Sequence, residues 1–469
     1  ADVLVAMNPA ALKANKKSIK KGGTIIVNID SFTKRDLEKA GYENSPLEDN
    51  SFEGYNIIEA PITKLTRETL KDSGLDGKSV GRSKNMFALG IVYWMFNRPM
   101  EQTEQFLKKK FAKKPEVVEA NIKVMHAGYN FADTIEALPS SYTVLSANLR
   151  KGTYRNVMGN QATAWGFLAA AERANKELFL GSYPITPASD ILHELAKHKN
   201  LGVKTFQAED EIAGICSAIG ASFTGSLAIT TTSGPGLALK GEALGLAIMT
   251  ELPLVVVDVQ RGGPSTGLPT KTEQSDLFQA LYGRNGESPA VILASSTPAN
   301  CFDWSYMASK ITLEHNTPVV LLSDGYLGNG AEPWNIKSTK DMPSITPNIA
   351  TEGEEYLPYK RDDRTLARKL ALPGTKGMEH RLGGLEKEDI TGNVSYDGDN
   401  HEKMCRIREE KINRIANIIP KQEVFGKEKG DLLVVGWGGT HGSLYSACLL
   451  YTSDAADDLL CVDLGGRRI

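Results

Sequence analysis

The chain has 469 residues, enough for two or three domains, and 41% of them are hydrophobic and 24% charged. A formal net charge of −3 gives no reason to expect nucleic acid or an anionic membrane as a partner. No apolar run approaches the roughly 20 residues that a membrane-spanning helix needs. The five cysteines are scattered and form no C-x-x-C pair. This pattern favours a reducing, cytoplasmic compartment and argues against an iron–sulfur or zinc site in this chain.

Residues 1–135 are predicted to form one α/β domain that lacks its beginning. Near-continuous apolar strands joined by a helix predict a parallel sheet. The strands and helix that carry this prediction are Asp2–Ala6, Pro9–Lys20, Thr24–Ile29 and Tyr55–Ala60. Three further helices are predicted from Ser83, Glu101 and Pro115 onward, and residues 136–155 are predicted to form a linker.

Residues 156–345 repeat a strand-then-helix pattern, which predicts a doubly wound parallel sheet. Its six predicted strands are Leu178–Leu180, Lys204–Phe206, Ser226–Thr232, Pro253–Val259, Ala290–Leu293 and Pro318–Ser323. Residues 346–430 are predicted to form a surface excursion followed by a charged helix over His401–Ile418. A third α/β unit is expected to start over residues 431–449, with a strand from Asp431.

Ligands of such sheets bind at the carboxyl ends of the strands, and two loops there carry functional groups. In Gly181–Ser189, two prolines predict a rigid non-helical turn that presents the Thr186 hydroxyl before a helix over Ala188–His198. In the next loop, Glu209 and Glu211 flank Asp210 at a helix start, where capping explains any one of the three. A carboxylate held at the mouth of a buried helix can instead become a proton partner.

Two more loops follow apolar strands. The glycines of Thr230–Gly236 allow backbone N–H groups to approach a ligand closely, although a tight strand-to-helix turn explains them equally well. Arg261 stands among glycines in Gln260–Gly267, a position that suits the binding of a carboxylate. A hydroxyl, an arginine and a carboxylate at one sheet edge would suit a small carboxylated substrate beside a group that exchanges a proton.

Three other patterns are rejected as sites. Gly436–Gly442 has the spacing G-x-G-x-x-x-G, which does not fit a dinucleotide loop. Asp397–Asn400 is similar to the metal–diphosphate signature of thiamine enzymes but follows no apolar strand. The seven histidines show no metal-ligand spacing, so no metal is expected on this chain.

At these loops the chain closely resembles the alpha subunits of the thiamine-diphosphate-dependent 2-oxoacid:ferredoxin oxidoreductases. More narrowly, it resembles the 2-oxoglutarate type, in which a gamma domain is fused ahead of the alpha domain. Residues 1–135 are similar to that gamma domain, and residues 156–345 to the pyrimidine-binding domain. The matching segments are Asn85–Gly90, Lys114–Glu119, Gly181–Ser189, Ala208–Ala213, Thr232–Gly236 and Gln260–Gln274.

The resemblance implies a role for each matching site residue. Thr186 would hydrogen-bond the substrate, and Arg261 would bind the carboxylate of the 2-oxoacid. Glu209 would be the catalytic glutamate that contacts the aminopyrimidine N1′ of thiamine diphosphate, with Glu211 as the competing carboxylate. Ser233 and Gly234 are expected to contact the same cofactor.

The resemblance also implies partners. A separate beta subunit is expected to share the thiamine diphosphate and to carry Mg²⁺ and an iron–sulfur cluster, so this chain alone should be inactive. Coenzyme A is the expected co-substrate and ferredoxin the electron acceptor. 2-Oxoglutarate is the favoured substrate; pyruvate or a branched-chain 2-oxoacid is the alternative, as is a non-catalytic nucleotide- or coenzyme-A-binding module. The glycine-rich opening strand of the gamma domain is missing, and the family pattern stops near Cys448. We therefore expect truncation at both ends and a non-native tail over residues 450–469.

Overall fold

Two parallel sheets organise the chain, one in each of its two units, Ala1–Arg150 and Lys151–Ile469. The structure is a computed structural model that describes residues 1–49, 51–137, 142–426, 429, 432–454 and 459–463. Residues 138–141 of the predicted linker and Asp431 of the predicted third unit therefore lie outside the described residues.

The first unit contains a three-stranded parallel sheet in the order β1-β2-β3, with Val5 opposite Ile26 and Ile26 opposite Ile58. Its elements are β1 (Val3–Ala6), α1 (Pro9–Asn15), β2 (Thr24–Asn28), α2 (Lys34–Lys39), β3 (Asn56–Ala60), α3 (Ile62–Thr69), α4 (Gly77–Met95), α5 (Glu101–Lys110) and α6 (Pro115–Thr134). Helix α4 begins six residues before the predicted Ser83 because the Asp76 carboxylate accepts from the backbone N–H groups of Lys78 and Ser79.

Helices α4 and α6 pack backbone against backbone. A Cβ atom on Gly90 would lie 2.0 Å from the carbonyl oxygen of Met125, and one on Gly128 would lie 2.0 Å from that of Phe87. Glycine at both positions therefore permits a crossing that no larger residue would allow.

The second unit contains a six-stranded, fully parallel sheet. Its elements before the excursion are β4 (Tyr154–Met158), α7 (Gly159–Arg173), β5 (Leu178–Ser182), α8 (Ser189–Leu195), β6 (Val203–Gln207), α9 (Glu211–Phe223), β7 (Leu227–Thr232), α10 (Gly234–Leu239), α11 (Gly241–Thr250), β8 (Leu254–Gln260), α12 (Leu277–Tyr282), β9 (Val291–Ala294), α13 (Asn300–His315), β10 (Pro318–Asp324), α14 (Gly325–Asn329) and β11 (Ala331–Asn335). The strand order is β6-β5-β7-β8-β10-β9, and the predicted α/β fold is confirmed.

Both faces of this sheet are buried. Along β8, Val255 and Val257 pack into one apolar core, while Val256 between them packs into the other. The alternation explains why the strand is hydrophobic at nearly every position, as parallel sheets covered on both sides require.

Two features were not anticipated. Strands β4 and β11 form an antiparallel pair, with Val157 opposite Glu332, and β4 begins at Tyr154, inside the predicted linker. The predicted helix over Ala188–His198 is interrupted: α8 ends at Leu195, and a 3₁₀ segment continues to Leu201.

The excursion, residues 346–397, forms no helix and only isolated β-bridges, and all of its residues are described. Helix α15 (Gly398–Ile415) then starts three residues before the predicted His401, because the Asp397 carboxylate caps it, accepting from the Asn400 N–H at 2.8 Å.

The C-terminal elements are β12 (Val424–Phe425), β13 (Leu432–Gly436), α16 (His441–Asp454) and β14 (Leu459–Asp463). Strand β14 pairs in parallel with β13. The predicted non-native tail over residues 450–469 thus includes the end of α16 and β14, and its origin stays a prediction.

Candidate active site at the carboxyl edge of the sheet

The chain reverses its direction of winding between two neighbouring strands of the large sheet. From β5 it moves outward to β6, and then it crosses to β7 on the other side of β5 before moving on to β8. Such a switch point opens a crevice at the carboxyl ends of the two strands, where ligands of these sheets bind. The loops after β5 and β7 flank this crevice.

Hydrogen bonds join those two loops. The Ser182 and Thr231 hydroxyl groups lie 2.5 Å apart, and the Tyr183 hydroxyl lies 2.9 Å from that of Thr232. A Cβ atom on Gly236 would lie 2.1 Å from the Thr232 hydroxyl oxygen and 2.3 Å from that of Tyr183. Only glycine fits at position 236, so this part of the crevice has a fixed shape.

The turn after β5 presents Thr186 beside Arg261. The Arg261 Nη1 donates to the backbone carbonyl of Thr186 at 2.6 Å, while the Thr186 side chain is exposed. Arg261 is only 6% exposed, and its Nε has no hydrogen-bond partner among the described residues. The structure therefore brings these two predicted residues together and leaves part of the guanidinium unpaired.

The turn itself is braced from within. The Ser189 hydroxyl accepts from the Ile185 N–H at 2.8 Å and donates to the Ile185 carbonyl at 3.0 Å. The buried Asn160 side chain donates to the Pro187 carbonyl at 2.9 Å, and the Thr186–Pro187 peptide bond is cis.

The three consecutive acids of the loop after β6 differ in their surroundings. Asp210 caps α9 by accepting from the Ala213 N–H at 2.9 Å. Glu209 is exposed and forms no hydrogen bond or ion pair with any residue that the structure describes. Glu211 is half-buried, and its Cγ lies 2.9 Å from where a Cβ on Gly236 would be.

The loop carrying Glu209 is tied to the crevice through the backbone. The Ala208 N–H donates to the Ser182 carbonyl at 2.6 Å, so the residue before Glu209 is bonded to the end of β5. Glu209 thus belongs to the same sheet edge as Thr186 and Arg261, with its carboxylate available to a ligand.

Ser233 and Gly234 lie at the N-terminus of α10. Ser233 is fully buried, and its hydroxyl has no hydrogen-bond partner among the described residues. A Cβ on Gly234 would lie 2.7 Å from a carboxylate oxygen of Asp276, so glycine allows this loop to approach that carboxyl group.

Asp276 faces Asp258, and both side chains are buried. No described donor reaches either oxygen of Asp258, so a proton shared between the two carboxyl groups is what can satisfy them. Burial and the neighbouring Asp276 raise the pKa of Asp258 well above its usual range, and burial raises that of Asp276. The pair therefore retains a proton to higher pH than an exposed aspartate does.

Lys240 is a second buried cation of the site, beside Arg261. Its Nζ donates to the Glu211 carbonyl at 2.7 Å and to the Thr230 hydroxyl at 3.1 Å, and it lies 5.2 Å from the centre of the Tyr183 ring. Burial lowers the pKa of Lys240 to about 8, against the opposing charge of Glu211.

Sequence reasoning missed Tyr183, Lys240 and the Asp258–Asp276 pair. Two of them left a signal: Lys240 follows the apolar run Gly234–Leu239, and Asp258 interrupts the apolar strand β8. A single charged residue in an otherwise apolar buried element indicates a partner or a functional site.

The fold and the site define an α/β chain with a candidate ligand-binding crevice at the switch point of its parallel sheet. Two family models match the chain: "pyruvate ferredoxin/flavodoxin oxidoreductase" over residues 1–131, and "pyruvate flavodoxin/ferredoxin oxidoreductase, thiamine diphosphate-binding" over residues 170–396. The chain belongs to the 2-oxoacid:ferredoxin oxidoreductases and is an oxidoreductase subunit of the alpha type.

Two named relatives are similar to the chain over much of its length. The chain is 53% identical over 449 residues to the 2-oxoglutarate oxidoreductase subunit KorA of Mycobacterium tuberculosis. This alignment covers 95% of the chain and 68% of that protein. It is 42% identical over 286 residues to the 2-oxoglutarate synthase subunit KorA of Archaeoglobus fulgidus, covering 61% of the chain and 73% of the relative.

A solved structure matches the fold. The 2-oxoglutarate:ferredoxin oxidoreductase of Magnetococcus marinus, with 2-oxoglutarate, coenzyme A and succinyl-CoA bound, superposes with a TM-score of 0.86 at 32% identity. The match covers 99% of this chain and 76% of the other. Among the described residues, no helix is both long and apolar enough to cross a membrane.

Proposed function

We propose that the chain is the alpha subunit, with a fused gamma domain, of an enzyme that converts 2-oxoglutarate and coenzyme A to succinyl-CoA and CO₂. The two electrons released would pass to ferredoxin. The buried Arg261, held by the Thr186 carbonyl and with its Nε unpaired, carries this proposal, because it suits a substrate carboxylate. The names of the mycobacterial and archaeal relatives favour 2-oxoglutarate over pyruvate.

Thiamine diphosphate is the cofactor that the chemistry of this edge fits. Glu209 offers an unpaired exposed carboxylate, which suits the protonated N1′ of an aminopyrimidine, and Ser233 offers a buried hydroxyl without a partner. When bound, the cofactor supplies the electron sink that decarboxylation of a 2-oxoacid requires. Glu209 would hold and exchange a proton at N1′, and Ser233 and Gly234 would line the cofactor.

The rest of the proposal concerns partners. The cofactor would be shared with a beta subunit that also carries Mg²⁺ and an iron–sulfur cluster, so this chain would be inactive alone. Thr186 would hydrogen-bond the substrate while Arg261 binds its carboxylate. Domain boundaries at residues 135, 155, 345 and 430 also remain proposals, as does a cytoplasmic location.

Co-expression with the beta subunit tests the proposal. The purified complex should reduce ferredoxin or methyl viologen only when a 2-oxoacid and coenzyme A are both present. We expect kcat/KM for 2-oxoglutarate to exceed that for pyruvate and 2-oxoisovalerate at least about tenfold. A preference for pyruvate would assign the alternative substrate, and coenzyme A binding without any turnover would indicate a non-catalytic module.

A further inference from the structure

A mixed set of metal-binding side chains lies at the other end of the large sheet. Glu287 stands four residues before β9, and His401 and Cys405 lie in the first turns of α15. One ligand atom from each of the three lies within 4.8 Å of the other two. The loop before β9 and helix α15 thus bring carboxylate, imidazole and thiol groups together. The excursion, a third distant part of the sequence, packs beside them.

His401 and Cys405 are four residues apart and therefore share one face of α15. The Cys405 Sγ lies 3.8 Å from the His401 Nε2 and 3.9 Å from its Nδ1. Two ligands of a tetrahedral zinc ion at ordinary bond lengths are about 3.5 Å apart. The pair is therefore close to the required spacing without any movement of the helix backbone.

A carboxylate of the excursion already orients the imidazole. The Glu386 Oε2 lies 2.7 Å from the His401 Nδ1, so Nδ1 carries the proton and Nε2 is left as the ligand atom. Metal-binding histidines nearly always donate their second N–H to such a partner. Glu386 itself is only 14% exposed, so its position is fixed by packing.

The loop that carries Glu287 is pinned as well. The Arg284 guanidinium donates to the Ser288 carbonyl at 2.8 Å and to the Ala280 carbonyl at 2.5 Å. These bonds hold the residues on either side of Glu287 against the end of α12. The third ligand therefore stands on a fixed turn.

The charges around the site are consistent with a divalent cation. The Arg408 Nη2 donates to the Cys405 Sγ at 3.2 Å and to the Glu386 carboxylate at 3.3 Å. Binding of a divalent ion would release the Cys405 thiol proton. The thiolate so formed and the two glutamates would carry three negative charges, which Arg408 and the ion would neutralise.

We propose that Glu287, His401 and Cys405 bind a zinc ion, with water in the fourth position. A nitrogen, a sulfur and an oxygen ligand together select zinc over magnesium or calcium, which take oxygen ligands. The ion would tie the start of α15 to the loop before β9, away from the carboxyl edge of the sheet, and its water position would stay open because only three protein ligands are present. This reverses our sequence-based expectation of no zinc site in the chain.

Metal analysis of the whole complex tests the site. After equilibration with Zn²⁺ and dialysis, the wild type should hold one more zinc per alpha chain than the Cys405→Ser or His401→Asn variant. Zinc K-edge absorption, which iron does not obscure, should show sulfur at about 2.3 Å together with nitrogen or oxygen at about 2.0–2.1 Å. Glu386→Gln should weaken zinc binding about 10- to 100-fold.

Two controls keep the test decisive. Cys216→Ser, which removes an exposed cysteine of α9, should leave the zinc content unchanged. Glu287→Gln changes only an exposed side chain, and bound Zn²⁺ should slow alkylation of Cys405 in the wild type but not in this variant. Equal zinc content in the wild type and Cys405→Ser, or an all-sulfur spectrum, would overturn the proposal.

Discussion

Buried charges lie at both ends of the six-stranded sheet, and they are satisfied in different ways. At the amino end, the Glu251 carboxylate accepts from Arg361 at 2.5 and 3.0 Å and from Lys411 at 2.6 Å. Lys411 also donates to the Asn316 carbonyl, and Arg368 donates to the Thr250 carbonyl at the end of α11. Glu251, Arg361 and Lys411 thus form a set of opposite charges in direct contact. Arg368 beside them donates to carbonyl oxygens only, and the Nε atoms of Arg361 and Arg368 have no partner among the described residues.

At the carboxyl end, the buried charges have weaker partners. Lys240 and Arg261 donate to carbonyl and hydroxyl oxygens but, among the described residues, to no carboxylate. Asp258 and Asp276 face each other without a cation. One sheet therefore separates two tasks: ion-paired charges fix the excursion at one end, and charges without a counter-charge remain available to a ligand at the other.

The largest expected effect is on stability, at the amino end. Glu251→Gln leaves Arg361 and Lys411 as buried cations without a counter-charge, and we expect a loss of about 3–5 kcal/mol in the free energy of unfolding. Urea unfolding of the purified complex measures it. Glu242→Gln, at an exposed position of α11, should change stability by less than about 0.5 kcal/mol. A loss below about 1 kcal/mol for Glu251→Gln would contradict the role assigned to the cluster.

The Glu251 carboxylate also makes the stability of the chain depend on pH. Burial alone would raise the pKa of Glu251, but the charges of Arg361 and Lys411 hold it far below its usual range. The stabilisation it provides is therefore present above the carboxyl pKa of the unfolded chain, and it is lost as the pH falls toward the folded value. The wild type should thus lose more stability on acidification than Glu251→Gln does.

The next effect is catalytic. Glu209→Gln should reduce exchange of the thiamine C2 proton about 100-fold or more, because an amide cannot exchange a proton with N1′, while stability stays unchanged at this exposed position. Proton exchange followed by NMR, together with thermal unfolding, separates the two. If Glu211→Gln abolishes exchange and Glu209→Gln does not, the half-buried carboxylate beside Gly236 is the catalytic one.

Arg261→Ala should act on substrate binding. Loss of a charge-assisted contact worth about 1.5–3 kcal/mol corresponds to a rise in KM for 2-oxoglutarate of roughly 10- to 150-fold. Steady-state kinetics of the complex measure it, with Arg261→Lys as the graded variant that keeps the charge but loses the planar guanidinium. The exposed Arg406→Ala is the matched control. Unchanged KM in Arg261→Ala would exclude the substrate role.

The smallest expected effect is the contribution of Asp258 to stability, which falls as the pH rises, whereas that of Glu251 falls as the pH drops. Because the pKa of Asp258 is raised by burial and by Asp276, its contribution to stability is full below the unfolded carboxyl pKa and is lost as the pH rises through the folded one. Asp258→Asn needs no shared proton, so it should stabilise the chain by about 1 kcal/mol, or roughly 2–4 °C, at alkaline pH. Melting curves from pH 5 to 9 test this, with the exposed Asp341→Asn as control; parallel curves for Asp258→Asn and wild type would refute it.

Local patterns in the sequence predicted most of the fold. Apolar strands, prolines and strand-end glycines are short-range features, and they predicted the large sheet and the loops that present Thr186 and Arg261. The missed features depend on contacts between distant residues. Strands β4 and β11 pair across more than 170 residues, and Glu251 meets Lys411 across 160. No local pattern could reveal such pairs, although the isolated Asp258 and Lys240 indicated that partners existed.

The excursion is held in place by buried side-chain contacts and an ion pair rather than by secondary structure. Residues 346–397 have no helix, yet the Tyr359 ring is fully buried beside the guanidinium groups of Arg361 and Arg368, and the Arg361–Glu251 ion pair anchors the segment to α11. A segment of this kind resembles an exposed linker in sequence but should resist limited proteolysis. Its cleavage sites would become accessible only when the anchoring charges are removed, so a protease can report on the far end of the sheet without any assay of turnover.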